Sequence, residues 1–226
     1  MGSVIVITSG KGGTGKTSLT GGVGASLALL GKQVLCLDGD VGLRNLDITL
    51  GMTDAALMDF SDVMAGRCDL SRAAVPHPTV SGLHLLTAPL TLPGDFPGEA
   101  GFQALLQQAR EAYDYVLIDS PAGLGPGFRL AVCGADRAIV VAVSDPSSLR
   151  DAQRVVTQLS QLETIHLVVN RVRPRLLRRQ NTTIDDAMDT AGLPLLGVVP
   201  EDPDIPRCLN QGVPLRDDNF YAARAY

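Results

Sequence analysis

The chain is expected to be an α/β protein in three layers, with helices on both faces of a mostly parallel central sheet. Three observations predict that class. Apolar runs rich in Val, Ile and Leu at 4–9, 34–37, 115–119, 138–143, 165–170 and 195–199 are continuous rather than alternating, as in strands buried on both faces. Stretches of helical spacing separate most of them, which implies right-handed crossovers between parallel strands. Glycines and carboxylates crowd the ends of the first, second and third runs, where open sheets of this kind place their chemistry.

The first run feeds Gly10-Lys11-Gly12-Gly13-Thr14-Gly15-Lys16-Thr17-Ser18, and a helix is predicted over 16–30, stopping at Gly31. This satisfies G-x-x-x-x-G-K-[ST] in the strand-to-helix context that the motif requires. Glycines let successive backbone amides turn toward an anion, and the helix adds its positive end. The stretch is therefore a phosphate loop for a di- or triphosphate, with Lys16 on the β/γ oxygens and the Thr17 hydroxyl as a Mg²⁺ ligand. Only three of the 19 basic residues are lysine, and two of those are Lys11 and Lys16. A compact ammonium kept at both places in an arginine-rich chain suits point contacts to phosphate. The helix also holds Gly21, Gly22 and Gly24, which close approach to the sheet would explain.

The second run ends in Asp38-Gly39-Asp40. Two residues apart in an extended segment, the carboxylates would share one face, one supporting Mg²⁺ and the other aligning the attacking water. A short helix is expected over 57–66, a strand over 83–87, an exposed Pro/Gly-rich loop over 91–101 and a helix over 102–112, all without chemistry. The strand at 115–119 closes on Asp119, a carboxylate placed to steady the Mg²⁺ shell, and the loop through Pro121 and Gly123 is suited to sensing a γ-phosphate. Asp145-Pro146 starts a helix running to about residue 162. Arg171, Arg173, Arg175, Arg178 and Arg179 then crowd nine residues, which reads first as a solvated loop, with anionic lipid, nucleic acid or a protein partner as the other readings.

At 226 residues and 45% hydrophobic, the chain is sized for one domain spanning 1–226. A net charge of −5 disfavours wholesale nucleic-acid binding. No apolar run reaches the ~20 residues of a membrane span, so a cytoplasmic protein is expected, with the inner face of the cell membrane as a peripheral address. The four cysteines and three histidines are scattered and read as structural. No basic amphipathic segment closes the sequence, so this chain alone is not expected to pellet with liposomes.

With these residues in hand, the chain resembles the deviant Walker A ATPases of the MinD/ParA group, which share the phosphate-loop NTPase fold. The marks are Lys11-Gly-Gly-Thr-Gly-Lys-Thr17, Asp38-Gly-Asp-Val-Gly-Leu-Arg-Asn-Leu-Asp47, Asp119-Ser-Pro-Ala-Gly123, Asn170-Arg171, and Gly197-Val-Val-Pro-Glu-Asp202 followed by Asn210-Gln-Gly212. The block from Asp38 to Asp47 is nearest the MinD branch, whereas ParA members more often carry Asp-Pro-Gln there. Thr14 departs from the group's usual valine. The resemblance implies Mg-ATP as cofactor and substrate, and an ATP-gated homodimer in which Lys11 reaches the partner's phosphates. It also implies Asp40 as the residue handling the attacking water, Asp38 and Asp119 beside Mg²⁺, and Asn170, Arg171, Pro200, Glu201 and Asp202 around adenine. MinC-like partners and MinE- or DivIVA-linked partners are implied as well, meeting the chain near 147–151 in a cycle that places the division septum. The alternatives are a ParA-like or flagellar-number positioning ATPase, and a nucleotide-gated scaffold with little turnover.

Overall fold

The apolar runs pair side by side as one sheet, and residues on its two faces divide into two cores. A computed structural model of the chain describes residues 1–180, 182–210 and 225. In chain order these form β1 (Ser3–Thr8), α1 (Lys16–Leu29), β2 (Val34–Asp38), α2 (Leu46–Thr49), α3 (Phe60–Met64), α4 (Leu70–Ala73), β3 (Val75–Pro76), β4 (Leu83–Leu86) and α5 (Gly98–Ala112). The second half continues with β5 (Tyr115–Asp119), α6 (Pro126–Val132), β6 (Arg137–Val143), α7 (Pro146–Thr157), β7 (Thr164–Val172), α8 (Pro174–Gln180), α9 (Ile184–Ala191), β8 (Leu195–Pro200) and α10 (Asp204–Asn210). Strand order is β3-β4-β2-β5-β1-β6-β7-β8, parallel throughout except for the short antiparallel β3 at one edge. The expected three-layer, mostly parallel architecture is what the described residues adopt.

Side-chain alternation decides which layer each residue joins. Val4, Val6, Leu35, Leu37, Val116 and Ile118 pack with Phe102, Leu105, Phe128, Leu149 and Val155 of α5, α6 and α7. Ile7, Val34, Cys36 and Leu117 face the other way, onto Leu19, Ala25 and Ala28 of α1. Close contacts explain two of the three glycines of α1, Gly24 against the sheet and Gly21 against α2. A Cβ on Gly24 would lie 2.4 Å from Cys36 Sγ, and one on Gly21 would lie 2.8 Å from a Thr49 methyl of α2. Their absent side chains let the helix sit against the sheet and α2, which offsets their cost in helix propensity.

Several boundaries differ from expectation for local reasons. The helix expected over 57–66 is limited to α3, because Asp59 and Asp62 form a reciprocal capping box that fixes its start. The helix α7 ends at Thr157 rather than near 162, and α5 begins at Gly98, inside the stretch read as loop. The arginine run is not a loop: Arg171 lies in β7, and Arg175, Arg178 and Arg179 lie on α8. Helices of four to seven residues such as α2, α4 and α8 span two turns or fewer, too few for a periodicity to register. In the resembling stretch near the end of the chain, Gln211 and Gly212 lie outside the described residues.

Candidate nucleotide site

The site forms where β1, β2, β5 and β7 end, because parallel register brings their last residues to one rim. In β2 and β5, Asp38 stands opposite Asp119 in the register of adjacent strands. Between β1 and α1, the phosphate loop is braced from outside through its carbonyls. Asn170 Nδ2 donates to Thr14 O at 2.8 Å, Arg171 Nη1 to Gly13 O at 3.4 Å, and the Ser9 hydroxyl to Lys11 O at 2.7 Å. Gly15, at φ 91°, admits Asn170: a Cβ there would stand 2.2 Å from its Nδ2. Gly10 lies equally close to α7, where a Cβ would meet the Asp151 carbonyl at 2.4 Å. The first-turn amides of α1 are left without intrahelical acceptors and constitute an anion site at the helix start.

Gly13, Gly15, Lys16, Thr17 and Ser18 form one wall of a cleft of about 820 Å³, and Asn170, Arg171, Arg173, Pro200, Glu201, Asp202 and Ile205 form the other. A bulge builds that second wall. Between Val169 and Val172 the strand β7 carries one more residue than β8, and Arg171 takes a left-handed φ of 55°. This turns Arg171 toward the loop, as bulges beside functional sites commonly do. Glu201 accepts two hydrogen bonds from the Arg173 guanidinium and sits 3.7 Å from Arg171 Nη2, so its carboxyl titrates below the usual range.

Lys16 is only 8% exposed and lines the cleft, and its ammonium makes no hydrogen bond or ion pair with any described residue. Burial lowers its pKa, and the nearby carboxylates of Asp119 and Asp40 oppose that shift. Beneath it, Asp119 accepts from the Thr17 hydroxyl and, at 3.5 Å, from the Thr20 hydroxyl. Asp38 accepts from the backbone amides of Asp40 at 2.9 Å and Leu46 at 3.1 Å. The segment at Asp38 is thus a turn closed by its own side chain, not the extended stretch expected, and Asp38 holds the loop that presents Asp40. Burial drives the carboxyls of Asp38 and Asp119 up, to about 6 and about 7. Burial also raises Asp40, with the Lys16 charge working against it.

Hard oxygen donors on Thr17, Asp38 and Asp119, two of them carboxylates whose charge is costly without a cation, fit a magnesium ion held chiefly by phosphate. The sign of the shifts gives a pH prediction. Unfolded aspartates titrate near 4, so the folded chain binds extra protons between about pH 4 and 7, and its stability falls as pH rises through that window. Thermal melting without nucleotide is expected to give a higher midpoint near pH 5 than near pH 8, with Mg-ATP weakening or reversing the trend. A midpoint that rises with pH in the nucleotide-free chain would contradict it.

Lys11 stands apart from the cleft's interior. Its ammonium lies 3.3 Å from each carboxylate oxygen of Asp145 and 2.9 Å from the Ser147 hydroxyl, at the start of α7. These contacts, made 134 and 136 residues away, were not visible in the sequence, and neither was the part of Arg173 and Ile205 in the cleft. The loop at 91–101, read as lacking chemistry, reaches the site's edge: Leu92 and Phe96 line a separate pocket of about 370 Å³ with Asp40, Pro121 and Phe128. Thr14, at the position of the group's usual valine, is buried with no hydrogen-bond partner for its hydroxyl among the described residues, a cost valine would not carry.

Residues 5–215 match the family described as the CobQ/CobB/MinD/ParA nucleotide binding domain. The septum site-determining protein MinD of Bacillus subtilis is 40% identical over 223 residues, covering 96% of this chain and 83% of that protein. The MinC:MinD cell division complex of Aquifex aeolicus superposes with a TM-score of 0.91 at 38% identity, over 99% of this chain and 91% of that one. MinD of Pyrococcus horikoshii complexed with Mg-ADP gives 0.85 at 30% identity, over all of this chain and 93% of that one.

Proposed function

The chain belongs to the CobQ/CobB/MinD/ParA family of nucleotide-binding domains, and from that premise we infer that it is a MinD-like ATPase serving division-site placement. The observation that carries the reading is Lys16: a buried ammonium with no hydrogen bond or ion pair to any described residue, at the floor of an open cleft, between a glycine loop and the carboxylates of Asp119 and Asp40. Leaving such a charge unpaired is costly unless a ligand anion answers it.

In this reading the loop amides and Lys16 take the β- and γ-phosphates, and Thr17 meets Mg²⁺ with Asp119 and Asp38 behind it. Magnesium, when bound, neutralises charge that builds on the phosphate oxygens during transfer. Asp40 faces the γ-position and orients the attacking water. Arg171 and the segment Pro200, Glu201 and Asp202 form the far wall, where the base rests, while Asn170 holds the loop in shape. The Lys11 ammonium leaves Asp145 and Ser147 for the γ-phosphate side of a second copy, so dimer formation depends on ATP. MinC-like proteins are the partners, since a MinD of this similarity is known in complex with MinC. No helix among the described residues is long and apolar enough to cross a membrane. We place the protein in the cytoplasm, with the inner membrane face as a peripheral address.

Calorimetric titration with Mg-ATP, followed by phosphate release, tests this. Binding should weaken at least 100-fold in Lys16→Ala, since a charge-assisted phosphate contact is worth about 3 kcal/mol in a desolvated site. Slow, saturable phosphate release is expected from the unaltered chain. Binding without release would favour the nucleotide-gated scaffold, and equal affinity in the variant would remove the assignment of the cleft.

A further inference from the structure

The nucleotide reading leaves the ordered arginine helix α8 unused. Arg171 and Arg173 face Glu201 and the cleft, but Arg175, Arg178 and Arg179 are exposed and make no ion pair with any described residue. They stand at i, i+3 and i+4, so their side chains share one face, where like charges repel. Arg178 and Arg179 lie in the last turn, where the helix dipole favours cations; Arg175 lies in the first, where it does not. Local stability therefore does not account for the set. Beside them Leu176 is 38% exposed, while Leu177 is buried in the core and, with the amides of Leu176 and Leu177 donating to Arg173 O, fixes the helix in place.

We propose that α8 is a contact for an anionic phospholipid surface, with Arg175, Arg178 and Arg179 pairing headgroup phosphates and Leu176, at the flank of that face, entering the acyl boundary beside them. Charge complementarity selects the ligand class, because the chain as a whole is acidic at −5 and concentrates this positive charge on one short element. The dimensions select lipid over nucleic acid. A helix of seven residues offers about 10 Å of basic surface, and the next helix, α9, carries Asp185, Asp186 and Asp189. Phosphates fixed along a duplex would run from the arginines onto those carboxylates, whereas mobile headgroups can gather under a small patch. No aromatic residue lies between 171 and 194 to stack single-stranded bases. This inference stands on residues outside the nucleotide cleft and is tested separately from it.

The test is co-sedimentation of the full chain with vesicles of equimolar phosphatidylglycerol and phosphatidylcholine, and with phosphatidylcholine alone, at several salt concentrations. Contrary to the expectation drawn from the lack of a basic amphipathic segment at the end of the sequence, the chain should pellet through this ordered arginine face, with the anionic vesicles only, and be released as salt rises. Each arginine near such a surface is worth about 1 kcal/mol, roughly fivefold, so the R175A/R178A/R179A variant should lose on the order of 100-fold in partitioning. Leu176→Ser should lose less. Phosphate release by the triple variant should be unchanged, which separates lost lipid contact from lost folding. Absence of pelleting by the unaltered chain overturns the proposal, as does equal pelleting by the triple variant. Arginine-dependent binding to duplex DNA without vesicle binding would also overturn it and assign the helix to nucleic acid.

Discussion

Lys11→Ala is expected to leave monomeric nucleotide binding nearly intact while weakening the ATP-dependent dimer by about 100-fold or more. The Lys11 ammonium has two alternative sites. In the nucleotide-free chain Lys11 pairs with Asp145 on the surface, their side chains 36% and 45% exposed. Such a pair contributes about 0 to 1 kcal/mol, so releasing it costs little. Against a γ-phosphate walled off from water between two copies, the same ammonium makes a charge-assisted contact worth about 3 kcal/mol, which is the expected loss. Light scattering with a hydrolysis-resistant ATP analogue checks this. Melting should stay within about 1 kcal/mol of the unaltered chain, as expected for losing an exposed pair. Dimers of undiminished affinity would place the lysine outside the interface.

Asp40→Asn should retain ATP and the dimer but lower turnover by about 10²- to 10³-fold, the usual loss when a group that positions or deprotonates a nucleophile is removed. The substitution preserves shape, and the residue 40 amide can still donate to Asp38, so the turn survives. It removes a half-buried carboxylate beside Lys16, whose pKa burial has raised and the ammonium opposes. Single-turnover phosphate release on the preformed dimer separates this loss from weaker assembly. An unchanged rate would exclude Asp40 from the chemical step.

The candidate site was legible in the sequence where its parts are local. The phosphate loop, the strands ending in Asp38 and Asp119, and the resemblance at Asn170 and at Pro200 to Asp202 all converge on one rim, because parallel strands deliver their carboxyl ends together. What was not legible depends on distance or on turns. The extended reading of Asp38 and Asp40 failed because an aspartate before glycine closes a turn on its own side chain. The bulge at Asn170 and Arg171 has no signature in a run of apolar residues. Signals for α9 were present, in the Thr183 and Asp186 capping box and the left-handed Gly192. The glycines at 10, 21 and 24 became intelligible only with their neighbours Asp151, Thr49 and Cys36 in place.

The central claim is that a triphosphate joins two copies of this chain through an ammonium that each lends to the other. Determining the structure of the chain with magnesium and a hydrolysis-resistant ATP analogue tests it most directly. The expected result is a two-fold dimer in which Lys11 of each copy has left Asp145 and Ser147 and lies within hydrogen-bond distance of the partner's phosphates. A complex with nucleotide in the cleft and Lys11 still on its own Asp145, or turned from every phosphate, would contradict the account.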